Sequence, residues 1–355
     1  MAQLVECSVW DREVPGSSPG APILPKKGYF PMQSLTPKQR ALLPCANILH
    51  TTKQFLTLKI NKDISLITSK AIKTPFVFDR LVLSVSAKLD KKAALLLQAS
   101  VKTQAGWSPF YKLSYISQDY KKSFLEQKDT FAQTNIDELL IKKGASAFKY
   151  KITILGKVKI DLISVSVCKK GAKYDRTLAE DTLDLKNFEL DLTPMSQKEF
   201  EDKKLRNIIC SATSVAMVLD YFGKLKSLKE VCQGVKDQQT GIFGNWPLNI
   251  AYASQLGLRA AVVHCASLAQ AEGEILQARP LIVSIAFKNC ALKNSPQKQT
   301  DGHLVVIGGF DEKGNPIVYD PAAPTAKTVR RIYDRKQFAQ AWLKNKKGLA
   351  YAISK

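Results

Sequence analysis

An α+β protein in two parts is the fold class that this 355-residue sequence predicts: an N-terminal antiparallel β-sandwich, then a domain mixing helices with antiparallel strands. Three observations carry it. The chain is long enough for two sizeable cores. Residues 51–192 alternate apolar and polar positions in short runs separated by turn residues, the period of half-buried strands. Residues 193–355 switch to a three-to-four-residue apolar period around 210–222 and then interleave short strands with further helices.

Residues 1–50 are read as an irregular leader. Arg12 to Gly20 and Pro22 to Pro25 are rich in proline, glycine and serine without periodicity, and Met32 offers an alternative start. The sandwich strands follow. Phe55 to Ile60, Ala94 to Val101, Phe110 to Ile116 and Val158 to Val167 are candidates. Leu81, Leu83, Val85 and Ala87 share one face of another strand, as do Phe148, Tyr150, Ile152 and Ile154. Trp107 lies in a turn entering a strand, either packing over the sheet edge or presenting a binding-face aromatic. Leu183 to Pro194 reads as a connector that could finish the sandwich as an edge strand.

In the second domain, residues 193–355, Ala212, Val215, Ala216, Val218, Leu219 and Phe222 form one helical stripe that Gly223 can end. Cys210 then falls in or just before the first turn, where unpaired backbone N–H groups favour a thiolate. Val231 to Asn245 reads as a long cleft-forming loop, Pro247 to Leu256 as a helix capped at its start, and Ser267 to Ala278 as another. Leu281 to Phe287 is a strand, followed by a polar loop to Thr300 that could gate the neighbouring cleft. Asp301 to Phe310 reads as a buried strand entered at His303. A turn at 311–315 leads to a second strand, Pro316 to Tyr319, ending at Asp320-Pro321. His303 and Asp320 therefore sit near the same end of two adjacent strands. A cysteine nucleophile needs an imidazole to take its proton, and the imidazole needs a third group to fix its tautomer.

These residues resemble the C39-like peptidases, bacterial relatives of the papain-like cysteine peptidases, over about residues 195–355. The resemblance rests on Cys210-Ser211-Ala212-Thr213-Ser214, Gly244-Asn245-Trp246-Pro247, Gly302-His303, Asp320-Pro321-Ala322 and Arg330-Arg331-Ile332-Tyr333, in that order. It implies a papain-like fold and a cysteine hydrolase, a peptidase acting on a peptide or protein through a thioester. Cys210 would be nucleophile, His303 general base and then acid, and Asp320 the orienting group. The alternative is a weak or inactive peptidase-fold protein that binds a peptide or cell-surface polymer; transfer of the acyl group to an amine or thiol is a third outcome.

Papain-like enzymes carry a glutamine a few residues before the cysteine to help hold the oxyanion. Position 204 is lysine here, which leaves Asn207 or Gln197 for that role. Trp246 and Asn245 are candidate walls of a substrate pocket.

Composition narrows the partners. The formal charge of +22 is spread along the whole chain, the pattern of a general lysine bias, with acidic polymers as possible ligands and nothing that reads nucleic-acid sequence. The seven cysteines include no CxxC pair, and the histidines are only His50, His264 and His303, so spacing predicts no metal and no cofactor. His264-Cys265 is read as strand-end structure. No run of 18 apolar residues or signal peptide is visible; location stays unassigned, cytoplasmic by sequence although the resembled family often acts outside the cytoplasm. Oligomeric state is not legible.

Overall fold

The computed structural model describes residues 43–51, 54 and 57–355. The leader as far as residue 42, the alternative start at Met32 and the first part of the strand expected from Phe55 lie outside those residues. The described residues form two antiparallel sheets with helices on the second. Eleven strands build the first: β1 (Cys45–Thr51), β2 (Thr57–Lys59), β3 (Ile64–Thr68), β4 (Ile72–Leu89), β5 (Ala94–Thr103), β6 (Gly106–Trp107), β7 (Tyr111–Ser117), β8 (Lys121–Ser123), β9 (Ala132–Asn135), β10 (Glu138–Leu155) and β11 (Val158–Lys169).

Hydrogen bonds join them along one path, β1-β11-β4-β10-β5-β7-β8, with β2, β3, β6 and β9 at its sides. The strands expected to divide between two facing sheets are thus bonded continuously. Bends make this possible. In β10 the register against β4 shifts between Leu140 and Ala145 and again before Ala147, as β-bulges do. Gly144 sits inside that irregularity at φ +84°, where a Cβ would meet Val77 Cγ1 at 2.6 Å. The expected strand faces of β4 and β10 both point into the first core.

The opposite face of β1, β11 and β4 is not solvated. It carries Asn47, Ser164, Ser166, Ser84 and Ser86, all buried, and they hold the edge of the second sheet. The strand they meet is Arg259–His264. Ser86 Oγ accepts from Ala260 N (3.2 Å) and Ser84 Oγ from Val262 N (3.1 Å), while Ser164 Oγ donates to Val262 O (3.1 Å). Asn47 accepts from His264 N and donates to His264 O, both at 2.9 Å. Side chains thus replace the missing neighbour strand and satisfy an edge that would otherwise be unpaired.

The second sheet has seven strands: β12 (Phe188–Glu189), β13 (Arg259–His264), β14 (Leu281–Phe287), β15 (Thr300–Phe310), β16 (Pro316–Tyr319), β17 (Arg330–Ile332) and β18 (Leu349–Ser354). Their order is β13-β18-β14-β15-β16-β17, with β12 on β15. After a short first helix α1 (Arg176–Ala179), the helices α2 (Cys210–Tyr221), α3 (Leu228–Val235) and α4 (Trp246–Gln255) share a core with one face of this sheet. On the other face lie α5 (Leu268–Leu276) and α6 (Arg335–Ala339), the latter continuing as a π-helical turn through Trp342. No helix among the described residues is long and apolar enough to cross a membrane.

Three expectations are corrected. Strand pairing begins at Cys45, inside the stretch read as irregular to residue 50, because Ala46 and Ile48 alternate into the first core. The connector's strand joins the second sheet, not the first: Phe188 and Glu189 pair with Phe310 and Gly309, and a side chain at Gly309 would put Cβ 2.3 Å from Phe188 O. The first third of the expected cleft loop, residues 231–235, belongs to α3, started by a capping box between Ser227 and Glu230. The loop before β15 bonds to β17: Arg331 donates to Asn294 O (2.7 Å) and Asn294 Nδ2 to Ile332 O (3.0 Å).

Candidate active site

Cys210 is the first residue of α2, with no side-chain cap at Ile209. The first-turn N–H groups are therefore open toward the sulfur. The helix is registered against β15 by Ser214 Oγ, which donates to Leu304 O at 3.1 Å. Ser211, fully buried, donates to Asn249 Oδ1 (3.0 Å) and lies 3.1 Å from the Tyr351 hydroxyl. Two polar anchors thus flank the cysteine's turn and fix its direction.

His303 on β15 and Asp320 just after β16 meet where the two strands are paired. His303 Nε2 lies 2.7 Å from Asp320 Oδ1, and both side chains are buried. Asp320 is itself held: Tyr333 donates to Oδ2 at 2.6 Å and Ala322 N to Oδ1 at 2.9 Å. The Tyr333 ring stacks on Phe338, centroids 5.9 Å apart.

The electrostatics are consistent with this geometry. Burial works against the Cys210 thiolate, but a hydrogen bond to His303 and the imidazole's charge, aided by backbone at Leu304 and Ser211, bring the thiol below its ordinary range. Burial works against charged His303 too, yet Asp320 and then Cys210 outweigh it and raise the imidazole to about 10. For Asp320, desolvation is outweighed by His303, Tyr333 and Ala322, and its carboxyl falls below the usual value. The arrangement favours a thiolate–imidazolium pair beside a carboxylate.

The remaining expected residues separate. Gln197 is buried; its backbone N–H donates to Pro321 O (2.9 Å), next to Asp320, and its Nε2 donates to Arg206 O (2.8 Å). Its Oε1 has no hydrogen-bond partner among the described residues. Asn207 is exposed, its Oδ1 accepting from Lys198 Nζ. Asn245 is fully buried and caps α4, accepting from Leu248 N (3.3 Å) and donating to Asp237 (3.0 Å); it is a cap and not a pocket wall. Trp246 is half-buried against the second core.

Sequence reasoning missed the contribution of the first sheet. The turn between β9 and β10 brings Asp137 to α4, where Oδ2 accepts from Trp246 N at 3.2 Å. Asp237 likewise receives Ser123 Oγ at 2.6 Å. No local signal in residues 123–137 marks them as neighbours of the site. Among the described residues, one set of thiols and imidazole has metal-ligand spacing, Cys45, Cys168 and His264, away from the triad at the seam between the sheets. The absence of CxxC pairs in the sequence gives no hint of this grouping.

Residues 189–349 match the Peptidase_C39 like family. No curated protein matches the chain. Among solved structures, a double glycine motif protease from an AMS/PCAT transporter, in complex with the leader peptide, is 20% identical, with 48% of this chain and 96% of that one covered and a TM-score of 0.32. The peptidase domain of Streptococcus ComA, a bi-functional ABC transporter, is 16% identical over 46% and 98% of the two chains, TM-score 0.31. A C39-like peptidase from Bacillus anthracis is 17% identical over 46% and 94%, TM-score 0.34.

Proposed function

We propose that residues 189–349, the stretch matched by the Peptidase_C39 like family, form a cysteine peptidase that hydrolyses an amide bond through Cys210, His303 and Asp320. The observation that carries this reading is the 2.7 Å contact between His303 Nε2 and a buried carboxylate, with the same imidazole holding the thiol at a helix start below its ordinary range. His303 Nε2–H is bound to Asp320, so Nδ1 is left to face the sulfur.

The thiolate attacks the scissile carbonyl, and the carbonyl π electrons move onto oxygen. Collapse of this intermediate re-forms the carbonyl, breaks the C–N bond and leaves an acyl thioester, with the amine taking its proton from imidazolium His303. Neutral His303 then removes a proton from water, which attacks the thioester and releases the acid and Cys210 thiolate. Oxyanion donors are the Cys210 N–H and, in preference to exposed Asn207, the Gln197 amide. Its burial beside the Asp320 turn supports that choice. We read the first sheet, folded over its own core as a sandwich, as a scaffold for this site; Trp107 is already covered by Lys149 at 4.2 Å.

A peptide carrying a thiol-directed electrophile tests the reading. Cys210 should label far faster than Cys290, the exposed thiol, and His303→Ala should remove that advantage. Labelling of Cys210 no faster than Cys290 would return the protein to the binding-module reading.

A further inference from the structure

Cys45 of β1 and Cys168 of β11 stand directly opposite each other in register, their sulfurs 3.1 Å apart. They lie on the face of the first sheet that receives β13, and His264 is the last residue of that strand. One ring nitrogen of His264 and the two sulfurs lie within 4.8 Å of one another, and all three side chains are buried.

The hydrogen bonds around them decide which nitrogen is available. Ser166 Oγ is 2.6 Å from Asn47 Oδ1 and 2.6 Å from His264 Nδ1. The Asn47 oxygen carries no proton, so the single Ser166 proton goes to it. Ser166 must then accept from His264 Nδ1–H. That fixes the tautomer with a lone pair on Nε2, the form that ligates a metal, with a hydroxyl holding the other nitrogen as second-layer partners of metal-bound histidines do. Asn47 also grips the His264 backbone at both N and O, so ring and strand are positioned together.

We propose that Cys45, Cys168 and His264 bind one soft divalent cation of the zinc class, which clamps the first sheet to the edge strand of the second. Two thiolates and an imidazole are the donor set that zinc prefers over harder ions. A fourth ligand, water or the neighbouring buried Cys265, completes a tetrahedron. Zinc–sulfur bonds of about 2.3 Å place two thiolates roughly 3.8 Å apart, so the pair opens by less than an ångström or so to admit the ion. Binding releases the two thiol protons to solvent. A disulfide would use the same two sulfurs but leave the oriented Nε2 lone pair buried against nothing that needs it; the third group is what selects a metal.

The test uses the full chain with Cys210→Ala, which removes the catalytic thiol as a competing ligand. After zinc loading and gel filtration it should retain about one zinc per chain, and cobalt(II) in place of zinc should give thiolate-to-metal charge-transfer absorption. Both signals should vanish with Cys168→Ser and with His264→Gln. Should those variants not fold, the Cys210→Ala chain itself suffices. In denaturant just below the unfolding midpoint, where the buried thiols become reachable, zinc should slow alkylation of Cys45 and Cys168, and a chelator should restore their labelling. Absence of zinc and of the cobalt band, survival of the band in folded Cys168→Ser, no zinc protection, or a Cys45–Cys168 disulfide mapped in zinc-loaded protein would each overturn the site.

Discussion

Among the described residues, two clusters of thiol and imidazole stand apart, and the group behind each imidazole separates them. Behind His303 stands Asp320, a buried carboxylate that receives two further hydrogen bonds. Behind His264 stands Ser166, a hydroxyl already committed to Asn47. A carboxylate supports a charge on the ring and so makes an acid–base partner for a thiol. A neutral hydroxyl only orients the ring. Access differs as well: Cys210 is half-buried at a helix start, whereas Cys45 and Cys168 are closed in by the second sheet. The same functional groups thus suit catalysis in one place and ligation in the other, by the charge of one neighbour and the path to solvent.

The sharpest way to break that comparison is Asp320→Asn. If the carboxylate is what distinguishes the clusters, kcat should fall by up to about 10⁴-fold, the scale of losing the orienting charge in an acyl-transfer triad. The pH profile should move too. In the parent protein, if the proposed activity holds, kcat/KM should rise as Cys210 ionises, below the ordinary thiol range, and fall as His303 loses its proton at pH about 10. Asp320 is a main cause of the raised His303 value, so the alkaline limb should shift to lower pH in the variant. An unmoved limb would mean that Asp320 does not hold the imidazolium.

Next in size is the oxyanion. Gln197→Ala should lower kcat by about 10²- to 10³-fold, the cost of one donor, while Asn207→Ala should leave kcat within a few-fold. The reverse ranking, read from steady-state kinetics on one peptide, would move the donor to Asn207 and leave the buried, unpartnered Gln197 oxygen as a packing feature.

The three residues of the proposed triad were legible as candidates because each sits at the end of an element that the sequence marks clearly. Cys210 heads the apolar stripe of α2, His303 opens the run 304–310, and Asp320 closes the strand begun at Pro316. The 281–287 and 316–319 strands were read to the residue. The other cluster was not legible. Cys45, Cys168 and His264 are brought together only by the β1–β11 register and by the docking of β13, neither of which leaves a local spacing. Asn245 misled for a related reason: beside Trp246 it looked like pocket chemistry, but the start of α4 uses it as a cap. Alternation in β4 and β11 showed which positions were polar without showing what they would meet. Ser84, Ser86 and Ser164 bond directly to an edge strand of the second sheet, and Ser166 bonds to Asn47 and His264 beside it.

That serine face gives the smallest effect and the cleanest separation of the two regions. Ser84→Ala removes the acceptor for Val262 N, a backbone group on a buried residue with no strand on that side. Leaving a buried donor unpaired costs about 1–3 kcal/mol, and chemical denaturation should show a loss of that order. Because β13 lies at the far edge of the sheet from β16 and the proposed catalytic carboxylate that follows it, kcat per folded molecule should not change. A stability change below about 0.5 kcal/mol, the range of an ordinary surface substitution, would mean that the β13 edge finds another partner. The side-chain ladder would then be incidental to how the two sheets hold together.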